Sequence, residues 1–231
     1  MTEKTRFMHQ ARTPRAAAVA GILFGILFSS CMVLIRQAAP PNITDPNAWT
    51  ETTRRMVTIS LALISLAGIA FLWFIGVARD RLGAYEDQFF ATVFQGSGLL
   101  FLAMTFSAFA FAGGVFATIP TEGDPIPAPD VYVVGRAVMS QMFNIYALKM
   151  ASVFMISLST LWLRTGVMPR WLCVISYAVA LLMLFSLSLS LWMELWFPAW
   201  VLAVSTYFLI MTYRQAPSKH SDGPPPVVAA S

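Results

Sequence analysis

Long apolar segments alternate with short polar ones along most of this chain. A membrane-spanning helix needs about 20 mainly apolar residues, each adding about 1.5 Å. Six segments meet this requirement. The last two share one apolar stretch that is too long for a single span, and Glu194 and Pro198 predict the turn within it. The predicted spans are residues 16–35, 56–78, 89–119, 138–163, 171–192 and 196–213.

This pattern predicts an all-α fold, a polytopic bundle of six transmembrane helices over residues 16–213. Residues 1–15 form a polar N-terminal tail, and residues 214–231 lack the apolar content to fold, which predicts a disordered tail. The outer segment 121–130, TEGDPIPAPD, is predicted to be an extended surface loop. Six spans also permit two inverted halves of three, although no residues match between the halves.

The positions of the basic residues orient the bundle. With the N-terminus inside, ten lysines and arginines lie in inner segments and four in outer segments. The positive-inside rule therefore predicts that both tails are cytoplasmic. Only 11% of the residues are charged, so the surface suits lipid, and the net charge of +4 indicates topology rather than nucleic-acid binding. Interfacial tryptophans fit this layout, with Trp192, Trp196 and Trp200 at the outer turn and Trp162 and Trp171 at the inner one.

Side chains that usually hold cofactors are missing from the predicted spans. His9 and His220, the two histidines, lie in the polar tails, which excludes a histidine-ligated haem or zinc site within the bundle. Cys31 and Cys173 fall in apolar runs near opposite membrane faces, too far apart for a disulfide, and are interpreted as small buried hydrophobic residues. No cofactor and no metal are predicted.

Two segments suggest chemistry that the rest of the sequence does not support. Gln95-Gly96-Ser97-Gly98 is similar to the Gly-x-Ser-Gly motif of rhomboid proteases, but its first glycine is replaced and no span offers a histidine to activate Ser97. These small residues, like Gly21 and Gly25, are interpreted as sites of close helix contact. An inner acidic group lies beside arginines and favours an ion-paired loop over a metal site; it comprises Asp80, Glu86 and Asp87.

Lys149 is the residue that most needs an explanation, because it lies near the middle of the fourth predicted span. A lysine at that depth costs about 2.5–3.5 kcal/mol. Helical spacing of three and four residues places polar partners on or near its face, and Gln95 on the third span is expected at comparable depth. The candidate polar lining is Gln95, Gln141, Asn144 and Ser152.

Two interpretations of Lys149 remain open. In the first, it is a structural lysine that hydrogen-bonds to Gln95, Asn144 and backbone carbonyls. In the second, it is a buried functional cation at the floor of a cavity, where it binds an anion, a lipid headgroup or an acidic residue of a partner chain.

The junction between the fourth and fifth spans reads Arg164-Thr165-Gly166-Val167-Met168-Pro169-Arg170-Trp171-Leu172. It resembles a span junction in small bacterial six-span integral membrane proteins of unassigned function. The resemblance implies a location, the bacterial inner membrane, and no activity.

Three classes of function are compatible with this sequence. The first is a non-enzymatic accessory, scaffold or assembly component of a membrane complex, with the lipid bilayer and a partner membrane protein or a second copy as partners. The alternative is a small transporter or channel for an anionic or lipid-like ligand that uses Lys149. A membrane enzyme is the third class, and it is disfavoured because the sequence offers no acidic catalytic site.

Overall fold

A computed structural model of the protein describes residues 3–38, 50–80, 88–118, 129–166, 168–186 and 191–214. These residues are helical apart from short turns. A π-helical segment, Met142–Ala147, joins α4 to α5 in one continuous helix and is called the π-turn below. The α-helices are α1 (Glu3–Ala38), α2 (Glu51–Asp80), α3 (Gln88–Ala117), α4 (Pro129–Gln141), α5 (Leu148–Thr165), α6 (Arg170–Phe185) and α7 (Leu191–Arg214).

The all-α prediction is confirmed, and five helices are long and apolar enough to cross a membrane. The sixth apolar helix, α6, has 16 residues and is shorter than these. The five long segments are Ala18–Ala38, Glu51–Arg79, Phe89–Ala117, Asp130–Thr165 and Met193–Met211.

Helices α2 and α4 begin earlier than the hydropathy pattern predicts. Thr50 caps α2, because its side-chain oxygen accepts a hydrogen bond from the Thr53 backbone N–H at 3.3 Å. Helix α4 begins at Pro129, so Pro129 and Asp130, the last two residues of the predicted extended loop, are helical. Proline suits the first position of a helix. Asp130 in the first turn interacts favourably with the positive end of the helix dipole.

The predicted turn between the last two spans is wrong. Helix α6 ends at Phe185, and α7 begins at Leu191, so both Glu194 and Pro198 lie inside α7. A proline near the start of a helix removes one backbone hydrogen bond, which other groups in the protein can replace, and the helix continues. The break falls instead around a serine-rich sequence, of which Ser186 is the last residue described before the gap.

The helices pack in two groups of three that do not follow the order of the chain. Helix α1 packs against α2 and α7, while α5 packs against α3 and α6. Consecutive helices α6 and α7 therefore belong to different groups, and their backbones approach each other at few points. The groups combine spans one, two and six, and spans three, four and five, so they differ from the sequential halves that the sequence permits.

A buried cluster of phenylalanines joins the two groups. Its members come from α1, α2, α3, the π-turn, α5 and α7, and each is almost completely buried. Ring centroids are 4.7 Å apart for Phe24 and Phe71 and also for Phe101 and Phe197. In lipid, helices gain little by burying apolar surface against one another. Close packing of side chains, such as these rings, therefore holds a membrane bundle together. The phenylalanine cluster comprises Phe24, Phe28, Phe71, Phe74, Phe94, Phe101, Phe109, Phe143, Phe154 and Phe197.

Glycines let the helices approach closely at several of the predicted positions. A Cβ on Gly21 would overlap the Ser205 hydroxyl of α7, and one on Gly25 would overlap Leu202. Gly98 lies against Phe154 in the same way, whereas a Cβ on Gly96 would meet open space. The prediction of close contact is therefore confirmed for three of these four glycines.

Trp200 does not lie in an outer aromatic belt, contrary to the sequence prediction. It is buried and stacks on Trp162 of α5, with ring centroids 6.0 Å apart. Its indole N–H donates a hydrogen bond to Ser176 Oγ of α6 at 2.8 Å. An indole ring that pairs its N–H within the protein does not need the polar interface. Trp171 and Trp196 are exposed, as tryptophans in an interface would be.

The two cysteines are buried and free, which confirms the prediction for both. Cys31 Sγ donates to the Ser60 carbonyl at 3.2 Å and so links α1 to α2. The inner junction also has a clear local cause. Gly166 follows α5 with a φ of 67°, a left-handed conformation that glycine adopts without strain, and Pro169 precedes α6.

Several sequence predictions concern residues that the structure does not describe. These are the tail 215–231, the segments 39–49 and 119–128 that are predicted to be outside, and the acidic segment 81–87 that is predicted to be inside. The N-terminal segment predicted as a tail is helical from Glu3 onwards.

Replacing Gly21 by valine should destabilise the bundle, because the new side chain has no room beside Ser205 and Phe74. Overpacking of this kind costs about 1–3 kcal/mol. Gly76 is the matched control, since a Cβ there meets nothing within 4 Å. We expect a lower apparent melting temperature in detergent for Gly21→Val and little change for Gly76→Val. Equal melting temperatures for the two variants would contradict the close α1–α7 contact.

Candidate functional site

Lys149 bonds to the backbone at the end of a neighbouring helix. It is the second residue of α5 and is partly buried. Its Nζ donates a hydrogen bond of 2.7 Å to the backbone carbonyl of Leu184, in the last turn of α6. The first interpretation of this lysine included a bond to a backbone carbonyl, and the structure supplies that contact.

The chemistry of helix ends explains why this contact is favourable. The last four carbonyls of an α-helix have no partner within the helix and carry the negative end of its dipole. The Ser186 backbone N–H already bonds to the Leu182 carbonyl at 3.0 Å. Lys149 brings a positive charge to the Leu184 carbonyl, two residues further on. The lysine thus gains a hydrogen-bond acceptor, and the end of the helix gains a donor.

The short length of α6 gives this contact its importance. Its 16 residues extend about 24 Å at 1.5 Å per residue, whereas the apolar core of a bilayer is about 30 Å thick. A helix of this length is shorter than the apolar core that it would have to cross. In an apolar core water is scarce, so a terminal carbonyl that lies there without a partner is costly.

A second polar contact lies just beyond α6, at the start of α7. The Asn144 side chain of the π-turn and the Arg36 side chain of α1 both lie near the Glu194 carboxyl group. Asn144 donates to Ser140 Oγ at 3.2 Å. Glu194 is in the first turn of α7, where a negative charge interacts favourably with the helix dipole. The sequence pattern placed Glu194 in a turn and gave no sign of this role, whereas Asn144 was among the predicted polar residues.

In the part of the chain that the structure describes, the other residues of the predicted polar lining form no hydrogen bond with Lys149. Gln95 Oε1 accepts a hydrogen bond of 3.0 Å from Arg79. The residue before it, Phe94, stacks on Phe154, which places Gln95 beside a part of α5 more than one turn beyond Lys149. Ser152 Oγ bonds to the Leu148 carbonyl of its own helix at 2.9 Å, and Gln141 is exposed.

The π-turn explains why Gln141 and Asn144 differ from the predicted pattern. That pattern assumed a regular α-helix, in which Gln141 shares the face of Lys149 and Asn144 lies off it. Within the π-turn the Leu148 N–H bonds to the Phe143 carbonyl, five residues back instead of four. The extra residue rotates the preceding helix, so Asn144 reaches Glu194 of α7 while Gln141 is exposed.

The arrangement therefore contains three charged residues, Arg36, Lys149 and Glu194, around the adjoining ends of α6 and α7. Among the described residues, histidine, cysteine, aspartate and glutamate form no group of three that could hold a metal ion. Ser97 Oγ donates to the Val93 carbonyl of its own helix at 2.7 Å. The polar side chains on these helices thus form hydrogen bonds, and the charged ones include both signs.

Comparison with known proteins adds no relative: no family model matches the chain, and no curated protein or solved structure is significantly similar to it. The class is therefore given by the fold. Five long apolar helices around a phenylalanine core define a helical, multi-pass membrane protein.

Replacing Lys149 by methionine should leave the Leu184 carbonyl without its partner, at a cost of about 1–3 kcal/mol. We expect a lower apparent melting temperature and faster hydrogen exchange near the end of α6. Lys149→Arg keeps a positive donor and should lose less, and Gln141→Met tests the same substitution at an exposed position. A Lys149→Met protein at least as stable as the native one would show that the contact contributes nothing.

Proposed function

We propose that this chain is a non-enzymatic component of a membrane complex in the bacterial inner membrane, acting as an accessory subunit, a scaffold or an assembly factor. The packed phenylalanine cluster is the observation that carries the proposal. It fills the middle of the bundle with apolar rings from both groups of helices. A rigid, apolar interior suits a protein whose exposed surfaces perform its role.

Several polar side chains around this core support the same proposal, because they bond within the protein. Ser60, Ser157 and Ser176 each donate to a carbonyl of their own helix. Thr160 pairs with Tyr177 at 2.6 Å and links α5 to α6. Polar groups used in this way fix the helices relative to one another.

We further propose six crossings with both ends in the cytoplasm. The ten-to-four distribution of basic residues supports this orientation. The crossing by α6 is the decisive one, since this helix is short. Its exposed ends, Trp171 at 58% and Phe185 at 77%, are large apolar residues suited to a lipid boundary.

Reporter fusions test the number of crossings. If α6 crosses, a fluorescent protein at either end of the chain should fluoresce, and alkaline phosphatase after residue 231 should be inactive. With five crossings and a cytoplasmic N-terminus, the C-terminus would be outside and both results at that end would reverse. Alkaline phosphatase inserted within 119–128 is the control and should be active, because that segment is predicted to be outside.

A transporter or channel for an anionic or lipid-like ligand is the second candidate, and Lys149 is the observation that favours it. Its charge is paired with a carbonyl, not a carboxylate, in the described contacts. A positive charge therefore remains within the apolar region, where ionisable residues commonly mark ligand pathways.

Native mass spectrometry and vesicle assays distinguish the two candidates. A component of a complex should be released from membranes with a second protein or a second copy in fixed ratio. It should give no flux of chloride, phosphate or fluorescent anionic lipid above that of protein-free vesicles. A flux that is lost in Lys149→Met and kept in Gln141→Met would overturn the proposal in favour of transport, and a chain that is always released alone would also contradict it.

A further inference from the structure

Two exposed arginines lie where α5 and α6 are joined. Arg164 is in the last turn of α5, and Arg170 is the first residue of α6. The hydrogen bond between Thr160 and Tyr177, 2.6 Å long, shows which faces of the two helices meet. Arg164 follows Thr160 by four residues, and Arg170 precedes Tyr177 by seven. Both spacings keep a residue on one face of a helix, so the two arginines lie on the faces that meet.

The two arginines also lie at similar depths in the bundle. At 1.5 Å per residue, Arg164 is about 6 Å beyond Thr160 and Arg170 about 10 Å beyond Tyr177, in the same direction. They are therefore about 4 Å apart along the helix axes, less than the length of an arginine side chain. One small anion between the helix ends can contact both guanidinium groups.

Aromatic rings at the start of α3 border this pair of arginines. The guanidinium carbon of Arg164 lies 4.6 Å from the ring centroid of Phe90, and the ring of Phe89 lies 5.3 Å from that of Phe90. Stacking on a ring uses the flat face of a guanidinium group, while its N–H donors point outwards in the plane. The contact with Phe90 thus orients a planar set of donors before any ligand arrives.

Apolar side chains continue the same face of α6 away from Arg170. Val174 and Leu181 follow Arg170 by four and eleven residues, with Tyr177 between them, and are exposed to 64% and 46%. The ring of Trp171, exposed to 58%, lies beside Arg170. This face therefore carries positive charge at one end and apolar surface along the rest of its length. An amphiphile with an anionic headgroup and an acyl chain is complementary to both parts.

We propose that this face binds one anionic phospholipid. The N–H groups of Arg164 and Arg170 donate hydrogen bonds to the phosphate oxygens, which match the planar fork of an arginine. The acyl chain lies along α6 over Val174 and Leu181. Basic pockets between membrane helices recognise acidic headgroups in this way. The site is at the opposite end of α5 from Lys149, and it does not depend on the role proposed above.

Native mass spectrometry of the full-length chain in detergent, with phosphatidylglycerol or phosphatidylcholine added, tests the proposal. We expect phosphatidylglycerol to bind several-fold more tightly than phosphatidylcholine. Arg164→Gln and Arg170→Gln should each weaken phosphatidylglycerol binding about fivefold, the contribution of one basic residue near an anionic membrane surface. Arg55→Gln removes the same charge from an exposed position near the start of α2 and should leave binding unchanged.

Inorganic phosphate distinguishes a lipid headgroup from a free anion. Millimolar phosphate should leave the lipid bound, because it replaces only the contacts to the arginines; displacement of the lipid would overturn the proposal in favour of a free-anion site. Equal loss of phosphatidylglycerol in all three arginine variants would also overturn it, since binding would then follow net charge alone. Arg170→Gln carries the test if Arg164→Gln, which also loses the contact with Phe90, does not fold.

Discussion

Helices in a bilayer gain nothing from hiding apolar surface from water, so close contact between side chains has to hold them together. In this protein that contact is the phenylalanine cluster, and other features of the bundle serve it. Gly21 and Gly25 bring α7 near enough to α1 for Phe197 to meet Phe24, with ring centroids 5.9 Å apart. Gly98 does the same for Phe154 against α3. The glycines thus stabilise the bundle by letting the phenylalanine rings of neighbouring helices come into contact.

Helix α6 contributes no ring to this cluster and is held in a different way. Polar bonds connect it to its neighbours at three levels: Tyr177 to Thr160, Ser176 to Trp200, and the Leu184 carbonyl to Lys149. Hydrogen bonds in an apolar surrounding are directional and have few competitors. The bundle thus combines an aromatic core that fixes five long helices with a set of individual bonds that position the short one.

Much of the fold follows from hydropathy, but the candidate site does not. The sequence shows that Lys149 needs a partner, yet that partner is a backbone carbonyl, which every residue carries and no pattern marks. The end of α6 is hidden because the residues after Phe185 remain apolar enough to continue a span. The π-turn has no sequence signature here, and a periodicity of 3.6 residues carried through it assigns Gln141 and Asn144 to the wrong faces. Phe24 and Phe28 are four residues apart, a spacing that is visible in the sequence and puts both rings on one face of α1. Only the tertiary packing shows that this face lies in the core.

The pairing of α1 with α7 has a consequence for how the protein is made. Spans enter the membrane in the order of synthesis, so α1 enters well before α7, one of its two packing partners. Until then, Gly21 and Gly25 form an unfilled groove on the surface of a nascent chain, and Phe24 lacks the ring of Phe197. The insertion of α7 therefore completes the packing of this face of α1.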